Sequence, residues 1–166
     1  FFKTREHYFA YCKALCADAS AGKLMTILQA PNGWDAKRLV SRNKANGLNF
    51  TTRGMHIWDS ASLSVMERGM RLQLQQHSQL RDLLRRTGSR YVAETTVDTT
   101  WGIGLGPTDA LHAPTGQWGH NALGELWMLI RSQTWPAAPQ PDPPTVTVRG
   151  KHGSGPAGGA TRRPRW

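Results

Sequence analysis

Long hydrophobic runs are absent from this 166-residue chain. A membrane-spanning helix needs roughly 20 consecutive apolar residues, and no stretch approaches that length. The mean hydropathy is −0.51, so we expect no membrane partner. A signal-peptide pattern is also lacking, and the chain begins with Phe1 rather than Met, so a fragment or a processed product is expected. The length suits one globular domain.

Cysteine is scarce, since Cys12 and Cys16 are the only two and lie four positions apart in a predicted helix. Neighbours on one helix make a poor disulfide, and nothing else indicates an oxidising compartment, so a cytoplasmic location is expected. At about 100° per residue, the two cysteines point about 140° and 180° away from His7, so the three side chains cannot hold one ion. No zinc-spaced cluster exists among the six histidines. We expect neither a metal nor a cofactor.

Acidic residues are few, because 11 Asp and Glu stand against 21 Lys and Arg, for a formal net charge of +10. Residues 136–166 hold five Lys and Arg and the single acid Asp142, a net charge of +4, and the remaining +6 is spread over residues 1–135. A basic body with a basic tail favours an anionic partner, either nucleic acid or a phosphorylated small molecule. An ordinary solvated surface is the alternative that charge alone leaves open.

Composition divides the chain near residue 135. Five of the ten prolines lie between Pro136 and Pro144, and glycines and arginines follow them. Such a segment cannot bury enough apolar surface to offset the entropy lost on ordering. We therefore predict a folded domain over residues 1–135 and a disordered tail over residues 136–166.

The folded part has a mostly helical period, and its predicted fold class is mainly α with minor β structure. Helices are predicted over residues 5–18 with Thr4 as cap, from about Asp35, from Asp59 to residue 77, over residues 78–88 and over residues 120–135. Their inward faces are predicted to include Val65, Met66, Met70 and Leu74, then Leu80, Leu83 and Leu84, and finally Leu123, Leu126, Trp127 and Ile130. Residues 90–96 are the one predicted strand.

Glu6 and Lys13 share one stripe of the first predicted helix, because seven positions leave an angular offset of only about 20°. Ala10 lies between them and leaves room. A carboxylate and an amine placed together suit proton transfer or nucleophilic chemistry. A structural interpretation stays open, in which the helix dipole favours the glutamate and the lysine extends to solvent.

The stretch ETTVDTTWGIGLG combines an acid, an indole and closely spaced glycines. Asp98 and Trp101 could orient a ribose and stack on a base, since glycines let backbone N–H groups approach a phosphate or sugar. An ordinary turn with a core tryptophan is the alternative, and without a flanking strand and helix the glycines do not indicate a Rossmann fold. Trp58, just ahead of its predicted helix, is either a core residue or a stacking wall.

The order of these motifs resembles that of the YbiA-like/NADAR family of N-glycosidases. EHYFAYCKA, AKRL, WD, LLRRTG, AETTVDTTWGIG and GHNALGELWMLIR follow one another as in the family, over residues 1 to about 134. The resemblance implies a compact, orthogonal helical domain and hydrolysis of the bond between a ribose and an amine. One branch of the family acts on phosphoribosylamino-pyrimidine intermediates of riboflavin synthesis, and another removes ADP-ribose from modified guanine.

The resemblance also implies roles for individual residues. Lys13 is the candidate nucleophile, Glu6 the proton shuttle or electrostatic stabiliser, and Asp98 the residue that holds ribose hydroxyls or activates water. In an equally allowed version, Glu6 activates water directly and Lys13 only binds phosphate. The remaining candidates bind substrate, with the two indoles sandwiching the base: His7, Trp58, Trp101, Gly102 and Asn121.

The chain departs from the family pattern at several places. A β-hairpin usually precedes the EHYF helix, but only FFKTR does so here, so the hairpin is predicted to be missing or shortened. The usual residues are replaced at four supporting positions, Ala10, Val40, Ser41 and Ser62. Three functions therefore compete: removal of ADP-ribose from guanine, which the basic surface favours, hydrolysis of a phosphoribosylamino-pyrimidine, and non-catalytic binding of ADP-ribose or nucleic acid.

Overall fold

The computed structural model describes residues 2–41 and 47–136 and is mainly helical. These described residues form seven α-helices and a short 3₁₀ turn at Thr115–Gln117: α1 (Arg5–Cys16), α2 (Ala21–Gln29), α3 (Gly33–Leu39), α4 (Thr52–Gln76), α5 (Ser78–Arg86), α6 (Pro107–Ala110) and α7 (Ala122–Thr134). Helix α1 packs against α2, α3 and α4, and α4 also packs against α5 and α7. None of the helices in these two stretches is long and apolar enough to cross a membrane.

Side-chain caps explain where the helices begin. The hydroxyls of Thr4, Ser20 and Thr51 and the amide of Asn32 each accept a backbone N–H from the first turn of their helix. The Thr4 cap confirms the predicted start of α1. The cap at Thr51 begins α4 seven residues before Asp59, so the prediction that Trp58 precedes this helix is wrong.

Two hydrophobic clusters form the core of the described part of the chain. One joins Ala10 and Ala14 of α1 to the residues of α2 and α3, and the other joins α4 to α5 and α7. The predicted inward residues of α4 and α7 are largely confirmed, with Met70 and Ile130 almost fully buried. Leu83 is an exception, since 55% of it is exposed.

The strand predicted for residues 90–96 is wrong, because the structure assigns no strand anywhere in residues 2–41 and 47–136. The segment has no regular secondary structure, and several of its backbone groups bind side chains. The Asn121 amide donates to the Val92 carbonyl at 2.9 Å and accepts from the Glu94 N–H at 2.9 Å. One buried side chain therefore replaces the strand partner that the local composition suggested.

Two predictions fall outside the part of the chain that the structure describes. Almost all of the tail predicted to be disordered, residues 137–166, lies beyond the described residues. The predicted loss or shortening of an N-terminal hairpin concerns the start of the chain, where description begins at Phe2, so it stays a prediction.

Burial of Cys12 and Cys16 gives a prediction about thiol chemistry. Both cysteines are free. Burial raises the pKa of the Cys12 thiol above its ordinary value and outweighs the opposite effect of its hydrogen bond with Tyr8, and burial likewise raises the pKa of Cys16. A raised pKa leaves less thiolate at any given pH, and only the thiolate reacts. We expect iodoacetamide to alkylate the folded protein about tenfold more slowly than the urea-unfolded protein at mildly alkaline pH. Equal rates would contradict the burial of the thiols.

Candidate active site

A cavity of about 270 Å³ lies where α1, α3, α4, α7 and residues 94–101 meet. Its polar wall has charges of both signs, with three carboxylates from Glu6, Glu94 and Asp98 and three cationic side chains from Arg5, Lys13 and Lys37. Its apolar wall comes from the rings of Phe9 and Trp101 and from smaller side chains. Charged groups that converge on one cavity beside an apolar wall are typical of ligand-binding and catalytic sites.

The predicted pair on α1 lies in the wall of this cavity. Glu6 and Lys13 both line it, and Ala10 between them is buried and also lines it. The Arg5 guanidinium holds Glu6, with 3.2 Å between Nη2 and Oε1. Only a glycine fits at position 33, because a Cβ there would lie 2.9 Å from the Glu6 Cβ. The start of α3 therefore limits the space in which the Glu6 side chain can move.

Asp98 and Trp101 reach the same cavity from a tight turn. The Asp98 Oδ1 accepts the backbone N–H groups of Thr100 and Trp101, each at 2.8 Å. These bonds fix the carboxylate relative to the indole. The Trp101 ring meets the edge of Phe9, with 5.4 Å between the centroids and planes at 88°. The structure thus brings together four residues that the sequence predicted: Glu6, Lys13, Asp98 and Trp101.

Gly102 supports this turn without lining the cavity. A Cβ at position 102 would lie 2.7 Å from the Glu94 carbonyl oxygen and would overlap the Thr96 side chain. The Gly102 N–H donates to the Asp98 carbonyl at 3.1 Å. The glycine therefore lets the backbone at position 102 pack against the backbone of Glu94 and Asp98, which sets the position of both carboxylates.

Trp58 and His7 lie behind the wall rather than in it. Trp58 is 5% exposed and packs on Phe9, with 4.8 Å between the ring centroids. The Lys13 Nζ lies 6.0 Å from the centre of its ring, close enough for a cation–π attraction. His7 is fully buried, and its ring nitrogens lie 2.8 Å from the Thr4 hydroxyl and 3.0 Å from the Ala30 carbonyl. Trp58 therefore contacts two side chains of the cavity wall, Phe9 and Lys13. His7 instead connects α1 to Ala30, the residue after α2.

Asn121 also lies outside the cavity, at 1% exposure. It adopts the left-handed conformation, with φ of 52°, at the start of α7. Besides its bonds to Val92 and Glu94, its amide donates to the Tyr91 hydroxyl at 3.2 Å. Gly124 makes room for it, since a Cβ there would overlap the Asn121 amide and the Val92 carbonyl. Asn121 therefore holds the segment that presents Glu94 to the cavity.

Sequence reasoning missed Glu94, Lys37 and Arg5 as cavity residues. Glu94 lies in the motif AETT and Lys37 in the motif AKRL. Neither residue is on the helix that carries Glu6 and Lys13, so no helical spacing relates them to that pair. Only the packing of α3 and of residues 94–101 on α1 brings them there. Three departures from the family pattern, Ala10, Val40 and Ser41, also line the cavity.

The charged residues of the cavity are not arranged as a metal site. Within residues 2–41 and 47–136, no group of three or more His, Cys, Asp and Glu side chains could hold a metal ion. The chemistry that the described geometry supports is that of carboxylates, amines and stacking rings.

Comparison with known proteins gives concordant matches. The model of the NADAR domain family matches residues 1–135. A protein of Acanthamoeba polyphaga mimivirus that is named an N-glycosidase is 35% identical over 79 residues, which are 46% of each chain. The Caenorhabditis elegans protein irg-1 is 31% identical over 137 residues, which are 81% of this chain and 61% of the relative. This chain therefore spans about half the length of the curated relatives that it matches.

A solved structure is also similar. The NMR structure of the Escherichia coli protein YbiA matches with a TM-score of 0.59 and 29% sequence identity. The match covers 80% of this chain and 67% of that chain. The similarity extends over most of the helical part.

Proposed function

The chain belongs to the NADAR domain family, and on that premise we propose that it is an N-glycosidase that hydrolyses a ribose–nitrogen bond. The observation that carries the proposal is the convergence of Glu6, Asp98 and Lys13 on one cavity beside the Trp101 ring. The mimivirus relative bears the name N-glycosidase, which supports the same reaction class. ADP-ribose attached to a modified guanine is the proposed substrate, because a net charge of +10 attracts a diphosphate or a nucleic acid.

Cleavage of a ribosylamine has two requirements. Positive charge develops at the anomeric carbon and must be stabilised, and the leaving nitrogen must receive a proton. A cavity lined by three carboxylates and three cationic groups can meet both requirements. The apolar contribution of Phe9, Met66 and Leu123 lowers the local polarity and strengthens each charge interaction.

In the first proposed route, Lys13 is the nucleophile. Its neutral amine forms a bond to the anomeric carbon while the bond from that carbon to the leaving nitrogen breaks, and that nitrogen takes a proton from the Glu6 carboxyl. The lysine nitrogen then carries two protons: it returns one to the Glu6 carboxylate and passes the other to the ring oxygen as the ribose ring opens, which leaves an imine between the nitrogen and the anomeric carbon. Water then adds to the imine carbon, which restores the amine and releases the sugar.

In the second route, Glu6 acts as a general base. Its carboxylate takes a proton from a water molecule whose oxygen bonds to the anomeric carbon, and the carboxyl group passes this proton to the leaving nitrogen as the ribose–nitrogen bond breaks. Lys13 then serves with Lys37 and Arg5 to bind phosphate. Reduction of the reaction mixture with borohydride distinguishes the routes, because only an imine is converted into a stable adduct.

Asp98 gives a prediction that separates chemistry from folding. Asp98→Asn keeps an oxygen to accept the Thr100 and Trp101 N–H groups but removes the negative charge from the cavity. We expect the hydrolysis rate to fall by about 10²-fold with an unchanged thermal unfolding temperature. Asp82→Asn on the exposed face of α5 is the matched control and should retain the wild-type rate. Wild-type activity in Asp98→Asn would remove Asp98 from the mechanism.

The small cavity favours a second substrate. About 270 Å³ lies just below the roughly 300–1,000 Å³ of ordinary ligand pockets, and a phosphoribosylamino-pyrimidine is smaller than ADP-ribosylated guanosine. Both candidates should be incubated with the protein at equal concentration and the products separated. Release of unmodified guanosine at the higher kcat/KM supports the first substrate, and release of the free pyrimidine at the higher value replaces it with the second. Nucleic-acid binding that salt weakens, without release of either product, would leave the chain as a binding module.

A further inference from the structure

Trp34 is the one exposed tryptophan among the six that lie in residues 2–41 and 47–136. It is 65% exposed, whereas the other five are buried or half-buried. The residues in and just after α3 that pack in the core are Ala36, Leu39 and Val40, and they point about 120–160° away from Trp34 around the helix axis. The indole therefore lies outside the core, where a partner can reach it.

The indole lies about one helical turn from the wall of the candidate active site. Lys37, three positions on, lines that cavity, and residues three apart are neighbours on a helix surface, with about 5–6 Å between their Cβ atoms. The residue before the indole, Gly33, packs against Glu6, since a Cβ there would lie 2.9 Å from the Glu6 Cβ. Trp34 is therefore held at the rim of the cavity, beside a proposed catalytic residue.

Arg38 packs on one face of this indole. Its guanidinium carbon lies 4.6 Å from the centre of the ring, within range of a cation–π attraction. The Arg38 side chain is still 52% exposed, and its ion pair with Asp35 is long, at 3.7 Å. The Asp35 carboxylate also accepts from the Asn32 amide at 3.0 Å. Because a guanidinium has five N–H donors, most of them remain available to an anion.

An aromatic face beside a positive charge is the kind of surface that binds single-stranded nucleic acid. Any base can stack on an aromatic side chain, and arginine adds contacts to bases and phosphates. Lys37 and Arg38 are both exposed, and the net charge of +10 has the sign that attracts a phosphate backbone. An acidic peptide matches this charge but does not supply a succession of flat rings. An unpaired strand therefore fits this rim better.

We propose that Trp34 and Arg38 bind the nucleotide beside the one that enters the candidate active site. Its base stacks on the open face of the indole, and its phosphate accepts from the Arg38 guanidinium. Nucleotides of a stacked strand follow one another at about 3.4 Å and unstacked neighbours lie further apart, so one helical turn is a suitable distance. The inference rests on the proposed function, because it places the target nucleoside in the cavity. It adds the residues that favour a modified base within an unpaired strand over the free modified nucleoside.

Fluorescence anisotropy with two labelled probes tests the stacking: an oligo-dT of about twelve nucleotides and a strand of the same length whose sugars carry no bases. At about 0.1 M salt, we expect Trp34→Ala to weaken oligo-dT binding about tenfold and to leave binding of the abasic strand almost unchanged. Trp34→Phe keeps a ring and should retain most of the affinity. No oligo-dT binding by the wild type, equal affinity in wild type and Trp34→Ala, or an equal loss on both probes would overturn the proposal.

The phosphate contact has its own test in the salt dependence of binding. Arg38→Gln should reduce the slope of log affinity against log salt concentration by about 1, on both probes. Arg81→Gln is the matched control, because Arg81 is exposed on α5, which packs on α4 and α7, and it should retain the wild-type slope. Equal slopes in wild type and Arg38→Gln would remove Arg38 from the proposed site.

Turnover distinguishes this site from the proposed reaction. The kcat/KM for ADP-ribosylated guanine within an oligonucleotide is divided by that for ADP-ribosylated guanosine, and we expect Trp34→Ala to lower this ratio about tenfold. Trp34→Phe should restore most of it, and an unchanged ratio in Trp34→Ala would contradict the proposal. If the wild type hydrolyses neither substrate, the N-glycosidase proposal fails, and the anisotropy titrations still decide whether Trp34 and Arg38 bind a strand.

Discussion

Lys13→Ala is expected to reduce the rate of ribose–nitrogen hydrolysis by about 10³-fold or more, because removal of a covalent nucleophile leaves only binding and electrostatic contributions. Lys13→Arg should be equally inactive, since the guanidinium keeps the positive charge but cannot form the imine. The initial rate of guanosine release from ADP-ribosylated guanosine measures both. Lys23→Ala on α2, outside the cavity, controls for the general loss of a positive charge and should react at the wild-type rate.

Borohydride added during turnover should trap the wild-type protein as a sugar adduct of increased mass, located on the peptide that contains Lys13. Lys13→Ala should give no adduct. An active wild type that gives no adduct, together with a Lys13→Arg variant that retains most of its activity, would contradict the imine route and favour Glu6 as the base that activates water. The two variants thus show whether Lys13 acts as a nucleophile or only supplies a positive charge that binds phosphate.

Asn121→Ala should have the largest effect on stability, lowering the free energy of unfolding by about 2–4 kcal/mol. The substitution removes the partners of the Glu94 N–H and the Val92 carbonyl, at 2.9 Å each. It also forces alanine into a left-handed conformation with φ of 52°, which asparagine tolerates better than most residues. Urea unfolding followed by circular dichroism measures the change, and the exposed Asn49→Ala should be nearly neutral.

Asn121→Asp tests the direction of these bonds. The carboxylate can still accept the Glu94 N–H, but its other oxygen faces the Val92 carbonyl without a proton to donate. We expect a loss of similar size, about 2–3 kcal/mol. If Asn121→Asp and Asn121→Ala both unfold at the wild-type urea concentration, the side chain does not hold residues 91–94, and another interaction must place Glu94 in the cavity.

Most of the helices could be predicted from the sequence, because capping residues and the spacing of apolar side chains within each segment determine them. The cap at Thr4 is a short-range feature and was predicted. Helix α2 was not predicted. It has no acidic residue in its first turn and no basic residue in its last turn, so the Ser20 cap is its main end signal. The start of α4 was placed late, because Asp59 resembles a cap while the hydroxyl of Thr51 is the one that acts.

Long-range contacts determine what the sequence did not predict. Residues 90–96 have β-branched and aromatic side chains that favour a strand, but Asn121, roughly thirty positions later, occupies the backbone groups that a strand partner would need. A strand could be excluded only by knowing that contact. Local composition therefore misled where a buried polar side chain decides the conformation.

The candidate site divides in the same way. Glu6 and Lys13 could be placed together because the helical repeat alone puts them on one stripe. Trp58 was expected beside the substrate, but inside α4 its ring faces Phe9 and lies in the core. Glu94 and Lys37 reach the cavity through packing between elements, and no spacing in the sequence indicates that arrangement. Neighbours along one helix were thus predictable, and neighbours across elements were not.

The release of guanosine from ADP-ribosylated guanosine by wild type, Glu6→Gln and Glu67→Gln is the most direct test of the proposed active site. Glu67 lies on α4, where it binds Arg71 at 2.7 Å outside the cavity. We predict saturable release by wild type and by Glu67→Gln, and a rate about 10²-fold lower for Glu6→Gln. Equal release by Glu6→Gln and wild type, or no release by a folded wild type from this substrate or a phosphoribosylamino-pyrimidine, would contradict the assignment of this cavity as an N-glycosidase active site.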